Sequence, residues 1–234
     1  MRGDRDGMDG MDARSHLLAA AQAMFAVRLS PGTSGNLSVR DGAGFWITPS
    51  GVPYDRLDAD MMVFMDMKGE WSGPLKPSSE WRFHLDIYRA RPETGGICHT
   101  HSLHATALAC RGEGIPAFHY MVAVAGGADI RCAPYRTFGT QDLSDVALVA
   151  MRDRRACLLA NHGVIALGAT VDKALALAQE VEVLAQQFIL SRQIGGPAIL
   201  SAQEMATVLA RFATYGQQPA GDRKPVRKRK PGRS

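Results

Sequence analysis

The sequence predicts a single domain of the α/β or α+β class, built on one central sheet. The chain has 234 residues, which suits one sizeable core, and its apolar content of 46% and charged content of 21% are those of an ordinary globular protein. Segments with helical periodicity alternate along the chain with short apolar segments typical of strands. Periodicity alone favours parallel β-α-β units, but it does not determine the direction of the strands.

The first helix is predicted over residues 12–29, where apolar side chains recur at helical spacing until Pro31 ends the pattern. Apolar alternation on either side of Asp41-Gly42 then predicts two paired strands. The remaining elements are predicted in this order: a strand over residues 61–65, a helix from residue 78 to about residue 89, a strand over 97–101, helices over 102–110 and 143–151, strands over 156–160 and 164–167, and helices over 171–193 and 201–213. Ser78 or Ser79 is expected to be the N-cap of the second helix.

The positive charge of the chain is concentrated near its C-terminus. The net charge is +4, and residues 222–234 alone carry +6, so the other residues carry −2. We expect a disordered basic tail over residues 217–234, a flexible segment over residues 1–14, and one folded domain over residues 15–216. Because the basic run has no interleaved aromatic residues, we do not expect nucleic acid as a partner.

Neither a membrane span nor a secretory signal is expected. No segment has the roughly eighteen consecutive apolar residues that a membrane helix needs, and residues 1–12 contain no apolar stretch. The four cysteines show no C-x-x-C spacing, which favours free buried thiols in a reducing compartment. We therefore expect a cytoplasmic protein with no membrane partner.

The candidate functional residues centre on His99 and His101. Side chains two apart in a strand project from the same face, so these imidazoles point together, as the first pair of ligands of a zinc-class metal would. Further on, His162 ends an apolar strand and precedes Gly163, which allows the backbone to turn sharply. Three histidines with one open or carboxylate position are typical of catalytic zinc sites, and Glu80 is the best carboxylate candidate. Taken alone, Glu80 is better explained as an acid at a helix N-terminus.

Polar turns supply a candidate anion site. Three clusters offer hydroxyls, an amide and backbone N–H groups without Lys or Arg: Thr33-Ser34-Gly35-Asn36, Ser50-Gly51 and Ser78-Ser79. Each cluster alone is typical of a plain turn. Together with a metal site they suggest a phosphorylated substrate.

From about residue 15 to Gly216 the chain resembles the class II aldolase/adducin family. The resemblance rests on motifs in the family's order and spacing: Thr33-Ser34-Gly35-Asn36-Leu37-Ser38, Thr48-Pro49-Ser50-Gly51, Pro77-Ser78-Ser79-Glu80, His99-Thr100-His101, His119-Tyr120-Met121, Ala125-Gly126-Gly127 and Asn161-His162-Gly163. Further segments are similar to the L-fuculose-1-phosphate aldolase branch: residues 78–84, 132–135, 137–140 and 214–216. The resemblance implies a three-layer single domain with a central mixed or antiparallel sheet flanked by helices.

The resemblance also implies a role for each candidate residue. It implies one Zn²⁺ per subunit, or Co²⁺ or Mn²⁺ in its place, held by four ligands: Glu80, His99, His101 and His162. Glu80 would also be catalytic and would transfer a proton at C3 of the substrate. Family members are similar in being fourfold-symmetric homotetramers with the site between subunits, so Tyr120 of a neighbouring subunit would handle the proton of the C4 oxygen.

The substrate implied is a small phosphorylated ketose. Its phosphate would be held by Thr33, Gly35, Asn36, Ser50, Gly51, Ser78 and Ser79, and its aldehyde end would be lined by Phe138 and Tyr215. The implied reaction is the reversible cleavage of a 1-phosphoketose, such as L-fuculose 1-phosphate, to dihydroxyacetone phosphate and a short aldehyde. The same cleavage of 5-deoxyribulose 1-phosphate or 5-(methylthio)ribulose 1-phosphate, in 5′-deoxynucleoside salvage, is an open alternative.

Three other functions are less well supported by the residues. Pentulose-phosphate 4-epimerases carry Asp where Glu80 stands, and methylthioribulose-1-phosphate dehydratase matches residues 81–84 less well. An adducin-like binding module would lack the three metal histidines that are present here. Residues 26–32 and those beyond Gly216 differ from the fuculose branch, which leaves the identity of the aldehyde open.

Overall fold

The computed structural model describes residues 12–212, so the predictions for the N-terminal segment, for the basic tail and for Tyr215 lie outside the described residues. The helices are α1 (Ala13–Ala26), α2 (Trp81–Ala90), α3 (Leu103–Cys110), α4 (Gln141–Ala150), α5 (Val171–Gln193) and α6 (Ala202–Phe212). The strands are β1 (Asn36–Asp41), β2 (Gly44–Ile47), β3 (Val63–Asp66), β4 (Trp71–Ser72), β5 (Gly96–Thr100), β6 (Cys132–Ala133), β7 (Ala156–Leu159) and β8 (Gly163–Gly168). Short 3₁₀ helices cover Tyr54–Arg56, Ala59–Met61 and Tyr120–Ala125.

In the part of the chain that the structure describes, eight strands form one sheet in the order β4-β3-β2-β1-β5-β8-β7-β6. Neighbouring strands are antiparallel except β6 and β7, which are parallel. The prediction of a central mixed or antiparallel sheet is therefore confirmed. The parallel arrangement that periodicity favours is wrong. The pattern misleads because helices cover both faces of this sheet, so its central strands are as continuously apolar as those of a parallel sheet.

The side chains of β8 show how the core is divided between the two faces. Val164 and Ala166 belong to an apolar cluster with residues of α1, α3 and α5, whereas Ile165 and Leu167 belong to a second cluster with residues of α2 and α4. The sheet is thus the middle of three layers, as the resemblance implies. Among the described residues, no helix combines the length and the apolar character that crossing a membrane requires.

The register of the central strands places the functional residues. β5 lies between β1 and β8, with Asn36 opposite His99 on one side and Val164 opposite Thr100 on the other. The turn that joins β7 to β8 therefore comes beside the end of β5 and brings His162 with it. Helix α2 covers one face of the sheet and brings its first residues to this end of β5.

Candidate active site

Four side chains meet where β5 ends. The candidate ligand atoms of Glu80, His99, His101 and His162 all lie within 4.8 Å of one another. Nε2 of His99 is 3.0 Å from Nε2 of His101 and 3.1 Å from Oε2 of Glu80. Nε2 of His162 is 3.1 Å from Oε1 of Glu80. The structure thus brings together the four residues that the sequence singles out as candidate metal ligands.

The hydrogen bond of His99 shows which of its nitrogens carries a lone pair. Nδ1 lies 2.8 Å from the carbonyl oxygen of Val164, which only accepts, so Nδ1 holds the proton and donates it. In the neutral ring, Nε2 therefore presents a lone pair to the centre of the cluster, where the Glu80 oxygens also point. Lone pairs that converge in this way are the donor set of a divalent cation, and an imidazole fixed through its other nitrogen is typical of metal ligands. The four residues fit a metal ion.

Burial and charge act in opposite directions on Glu80. Desolvation alone would raise the pKa of this carboxyl, but positive charge on the His99 and His162 rings, together with their hydrogen bonds, outweighs it and holds the pKa well below its usual range. Burial and the charges of His99 and His162 lower the pKa of His101 to about 3, although Glu80 opposes this change. At neutral pH the carboxylate is therefore ionised and His101 is neutral, which are the states that ligate metals.

The carboxylate of Glu80 is free to take part in the cluster because of how α2 begins. Glu80 itself occupies the N-cap position, and its side chain makes no capping hydrogen bond. The prediction of Ser78 or Ser79 as the N-cap is wrong. Ser78 instead forms a turn before the helix, in which its Oγ accepts a hydrogen bond from the backbone N–H of Glu80 at 3.3 Å.

The backbone turns sharply at Asn161, just before His162, and not at Gly163 as expected. Asn161 has φ +56°, in the left-handed region that Asn tolerates better than other non-glycine residues. Gly163 has no positive φ. It is needed for close packing, because a Cβ at this position would meet the carbonyl oxygen of Thr100.

We expect Asn161→Val to lower the free energy of unfolding by about 1–2 kcal/mol, because a β-branched residue in the left-handed region is strained. The melting temperature would fall by roughly 2–8 °C for a domain of this size. The same variant should bind metal more weakly, since His162 is the next residue. Thermal unfolding and a metal titration would measure both effects.

Two variants serve as controls for this prediction. Asn161→Gly should melt within about 2 °C of wild type, because Gly adopts the left-handed conformation freely. Asp153→Val changes another left-handed residue, with φ +59°, that does not line the pocket beside the cluster, so it should reduce stability but leave metal affinity unchanged. Equal metal affinities of the two valine variants would contradict the link between Asn161 and His162.

A pocket opens beside the cluster. Its described wall contains all of the predicted phosphate-binding residues, namely Thr33, Gly35, Asn36, Ser50, Gly51, Ser78 and Ser79, together with Glu80, His101, His162 and Phe138. The three polar turns that are far apart in sequence therefore form one surface. Phe138 is largely exposed, at 64%, so its ring is available to a bound molecule.

The turn before β1 is held rigidly at the pocket wall. Gly35 has φ +76°, and a Cβ there would meet Oγ of Ser30 and lie 2.7 Å from the carbonyl oxygen of His99. No other residue fits without moving β5, the strand that carries the candidate ligand His99. The hydroxyl of Tyr54 donates to the carbonyl oxygen of Gly35 at 2.7 Å, which fixes the turn from the other side.

Five wall residues have no predicted role in the site: Ser34, Pro49, Tyr135, Arg136 and Asn161. Arg136 is the one Lys or Arg in the described wall of the pocket. The loop that carries Arg136 reaches the pocket because Arg82 donates to the carbonyl oxygen of Gly139 at 2.7 Å. The only signal in the sequence was the position of Arg136 between two segments that carry the family resemblance.

Tyr120 does not lie in this pocket. It begins the 3₁₀ helix Tyr120–Ala125 and is 48% exposed. Its ring stands 6.5 Å from that of Phe212 at the end of α6. Within the described chain, the structure therefore places Tyr120 apart from the metal-ligand cluster.

Fold and site together define the class of protein: a three-layer α/β domain with a candidate metal centre in a pocket lined by anion-binding groups. The chain matches the family described as Class II Aldolase and Adducin N-terminal domain over residues 15–189. It is 55% identical over 203 residues to the 5-methylthioribulose-1-phosphate/5-deoxyribulose-1-phosphate aldolase of Rhodospirillum rubrum, covering 87% of this chain and 92% of that protein. It is 47% identical over 194 residues to the L-fuculose phosphate aldolase of Escherichia coli (strain K12), covering 82% and 90%.

A solved structure, that of an L-fuculose 1-phosphate aldolase, superposes with a TM-score of 0.84 at 39% identity, covering 88% of this chain and 98% of that one. The chain therefore belongs to the class II aldolase/adducin family, and the resemblance seen in its motifs is confirmed. It is a class II aldolase, an enzyme of the aldehyde-lyase type, and enzymes of this class depend on a metal.

Proposed function

We propose that the protein is a zinc-dependent aldolase that reversibly cleaves a 1-phosphoketose between C3 and C4, giving dihydroxyacetone phosphate and a short aldehyde. The observation that carries the proposal is the meeting of three histidines and Glu80 beside a pocket lined by neutral anion-binding groups. The metal site and the phosphate site are then neighbours, as a short phosphorylated ketose requires.

The phosphate is bound mainly by groups without charge. The hydroxyls of Ser50, Ser78 and Ser79 and the amide of Asn36 donate to its oxygens, together with backbone N–H groups of the turns. Arg136 adds a positive charge at the wall. This arrangement orients the ketose with its carbonyl end toward the cluster.

The four ligands hold one divalent cation, and we propose Zn²⁺ because imidazole and carboxylate suit it, with Co²⁺ or Mn²⁺ as alternatives. When bound, this ion supplies Lewis-acid stabilisation of the negative charge that develops as the C3–C4 bond breaks. Glu80 and His99 are buried and His101 and His162 are half-buried, so little water reaches that charge, which strengthens the stabilisation.

Glu80 moves the proton at C3. In synthesis its carboxylate removes a proton from the hydroxymethyl carbon of dihydroxyacetone phosphate, and in cleavage the carboxyl returns that proton to the same carbon. The C4 hydroxyl loses its own proton as the aldehyde forms. One proton therefore leaves the substrate and one is added, so the reaction needs no net acid or base.

Tyr120 handles the proton of the C4 oxygen, and it does so in a neighbouring subunit of a fourfold-symmetric homotetramer. Its exposure and its position outside the pocket of its own chain support this arrangement. Tyr120→Phe should lower kcat by about 100-fold, at the lower end of the range of general acid–base catalysis.

Mixed tetramers test the position of Tyr120. If Tyr120→Phe and Glu80→Gln chains are co-expressed with different tags, about a quarter of the sites in a cyclic tetramer combine an intact Glu80 with an intact Tyr120. The purified mixed tetramers should therefore be more active than either parent. Mixed tetramers no more active than the average of the two parents would place Tyr120 in its own subunit and contradict the proposal.

For the substrate, two candidates stand. The relative from Rhodospirillum rubrum, at 55% identity, is named for 5-methylthioribulose 1-phosphate and 5-deoxyribulose 1-phosphate, which favours salvage of 5′-deoxynucleosides. The relative from Escherichia coli, at 47% identity, is named for L-fuculose phosphate, which favours L-fuculose 1-phosphate. We also propose a cytoplasmic location, because the four cysteines are free. Cys98 and Cys157 are buried as expected, whereas Cys110 is exposed and Cys132 is half-buried.

The decisive experiment is steady-state cleavage of the three phosphates, with release of dihydroxyacetone phosphate coupled to a reductase, with and without a chelator. Chelator-sensitive release supports the aldolase, and the ranking of kcat/KM identifies the substrate. No release from any of the three by protein with metal bound would overturn the proposal in favour of an epimerase or a dehydratase.

A further inference from the structure

A row of buried polar side chains leads from Glu80 into the protein. Asn36 and Ser38 are two apart on β1 and face α2, while Glu80, His84 and Tyr88 recur every four residues along one side of α2. Four helical residues advance by about 6.0 Å and two strand residues by about 6.6–6.8 Å. The two sets therefore interleave, and we call these five residues the polar row.

Every neighbouring pair in the polar row is hydrogen bonded. Oη of Tyr88 is 2.9 Å from Oγ of Ser38, which is 2.7 Å from Nδ1 of His84. Nε2 of His84 is 2.6 Å from Oδ1 of Asn36, and Nδ2 of Asn36 is 3.0 Å from Oε2 of Glu80. All five side chains are buried, so water does not compete for these bonds.

The chemistry of Glu80 fixes the direction of the bonds at one end. An ionised carboxylate only accepts, so Nδ2 of Asn36 donates to it, and Oδ1 of Asn36 is left to accept from Nε2–H of His84. Burial, and then the charge of His99, lower the pKa of His84 to about 3 despite the opposing effect of Glu80. The ring is therefore neutral, and its Nδ1 carries a lone pair that accepts from the Ser38 hydroxyl.

The other end of the polar row favours the same direction. Among the described residues, Ser38 is the one hydrogen-bond partner of the Tyr88 hydroxyl, so this hydroxyl donates to Ser38. In the reverse direction the buried Tyr88 proton would have no acceptor, which costs about 1–3 kcal/mol. Both ends thus orient the row toward Glu80.

We propose that Ser38, His84 and Tyr88 are positioning residues for Glu80, which act by holding the Asn36 amide with its NH₂ group toward the carboxylate and the pocket. Asn36 lines the pocket as well as contacting Glu80. If the amide turned over, its carbonyl oxygen would face both the carboxylate and a bound phosphate and would repel them. The proposal rests on the proposed function, since it concerns the same carboxylate.

The test is Ser38→Ala, which interrupts the polar row without touching the substrate. Loss of a direct hydrogen-bond partner of a metal ligand typically costs about 10–100-fold in metal affinity or activity. Ser38 acts on Glu80 through His84 and Asn36, so we expect the dissociation constant for Zn²⁺ to rise by about tenfold, the lower end of that range. Competition with a chromophoric chelator measures it. kcat should fall by about the same factor.

Ser144→Ala is the matched control. Ser144 is also fully buried and its hydroxyl donates to Oδ2 of Asp86 at 2.7 Å, in the contact between α4 and α2. Its loss should reduce stability about as much as Ser38→Ala, with no effect on the Zn²⁺ dissociation constant. Equal Zn²⁺ affinities of the two alanine variants would overturn the proposal.

Tyr88→Phe tests whether Tyr88 acts on Glu80 through Ser38. It keeps the ring, and Ser38 still donates to His84, so the rise in the Zn²⁺ dissociation constant should be smaller, between about twofold and fivefold. The double variant with Ser38→Ala should bind Zn²⁺ no more weakly than Ser38→Ala alone, because Tyr88 acts through Ser38. Additive effects would count against the polar row.

These measurements separate the two proposals. Zn²⁺ affinity is measured without any ketose. A wild-type protein that cleaves none of the three phosphates would contradict the aldolase proposal, but the difference in Zn²⁺ affinity between Ser38→Ala and Ser144→Ala would remain. Conversely, if the wild type is active but Ser38→Ala and Ser144→Ala bind Zn²⁺ equally well, only the proposal for the polar row is contradicted.

Discussion

Glu80→Gln should cleave the 1-phosphoketose about 1,000-fold more slowly than wild type, in the middle of the range of general acid–base catalysis. The amide matches the carboxylate in size, and its oxygen can still accept from Asn36, which lies 3.0 Å away. It cannot carry the proton to and from C3, and it is a weaker metal ligand. kcat from the coupled assay measures the loss, and KM should change much less because the phosphate-binding turns are intact.

A carboxylate outside the cluster provides the control for this result. Glu113 is paired with Arg111 and Arg192 at the surface, so Glu113→Gln removes a comparable charge without touching the pocket. It should keep wild-type kcat. If Glu80→Gln, folded and loaded with metal, kept more than about a tenth of wild-type kcat, the role of Glu80 as acid and base would be wrong.

The second large effect is expected for His99→Ala. His99 is fully buried, and its Nε2 lies 3.1 Å from Oε2 of Glu80 and 3.0 Å from Nε2 of His101. Without its Nε2 the remaining three ligands surround an apolar gap, so the purified protein should contain almost no metal. Cleavage should fall by at least about 1,000-fold, because Lewis-acid stabilisation contributes several kcal/mol.

Metal content by mass spectrometry and kcat are measured together for this variant. His16→Ala is the control, because His16 lies on α1 and has no place in the cluster. It should keep both the metal and the activity. A His99→Ala protein that retained stoichiometric metal and wild-type kcat would show that the cluster is not the catalytic centre.

The metal-ligand candidates could be predicted because their chemistry is local. His99 and His101 share a face of one strand by simple alternation, and the structure confirms that they are adjacent. That Glu80 and His162 join them was implied by the family resemblance, since nothing in the spacing of residues 80, 99 and 162 brings them together. The direction of the strands was hidden because helices cover both faces of the sheet.

The polar row could not be predicted for a related reason. His84 lies on a helix where a packed structural histidine is the default, and Ser38 stands in a strand among apolar neighbours. Their meeting depends on how α2 packs across β1, and that packing is a property of the tertiary structure. Arg136 was missed likewise, because the position of its loop depends on tertiary contacts such as that of Arg82 with Gly139.

The interleaving of β1 and α2 also limits how far the polar row can extend. The helical step is shorter than the strand step by about 0.6–0.8 Å, so the offset reaches about 1.2–1.6 Å after two steps. At that point β1 offers Arg40, whose guanidinium reaches the carbonyl oxygen of Tyr88 at 2.7 Å and lies 4.6 Å from the centre of its ring. A long, flexible side chain thus absorbs the offset where a serine or asparagine would fall short. Inserting one residue into β1 would turn its polar face to the opposite side of the sheet, so the lengths of the strand and the helix are constrained together.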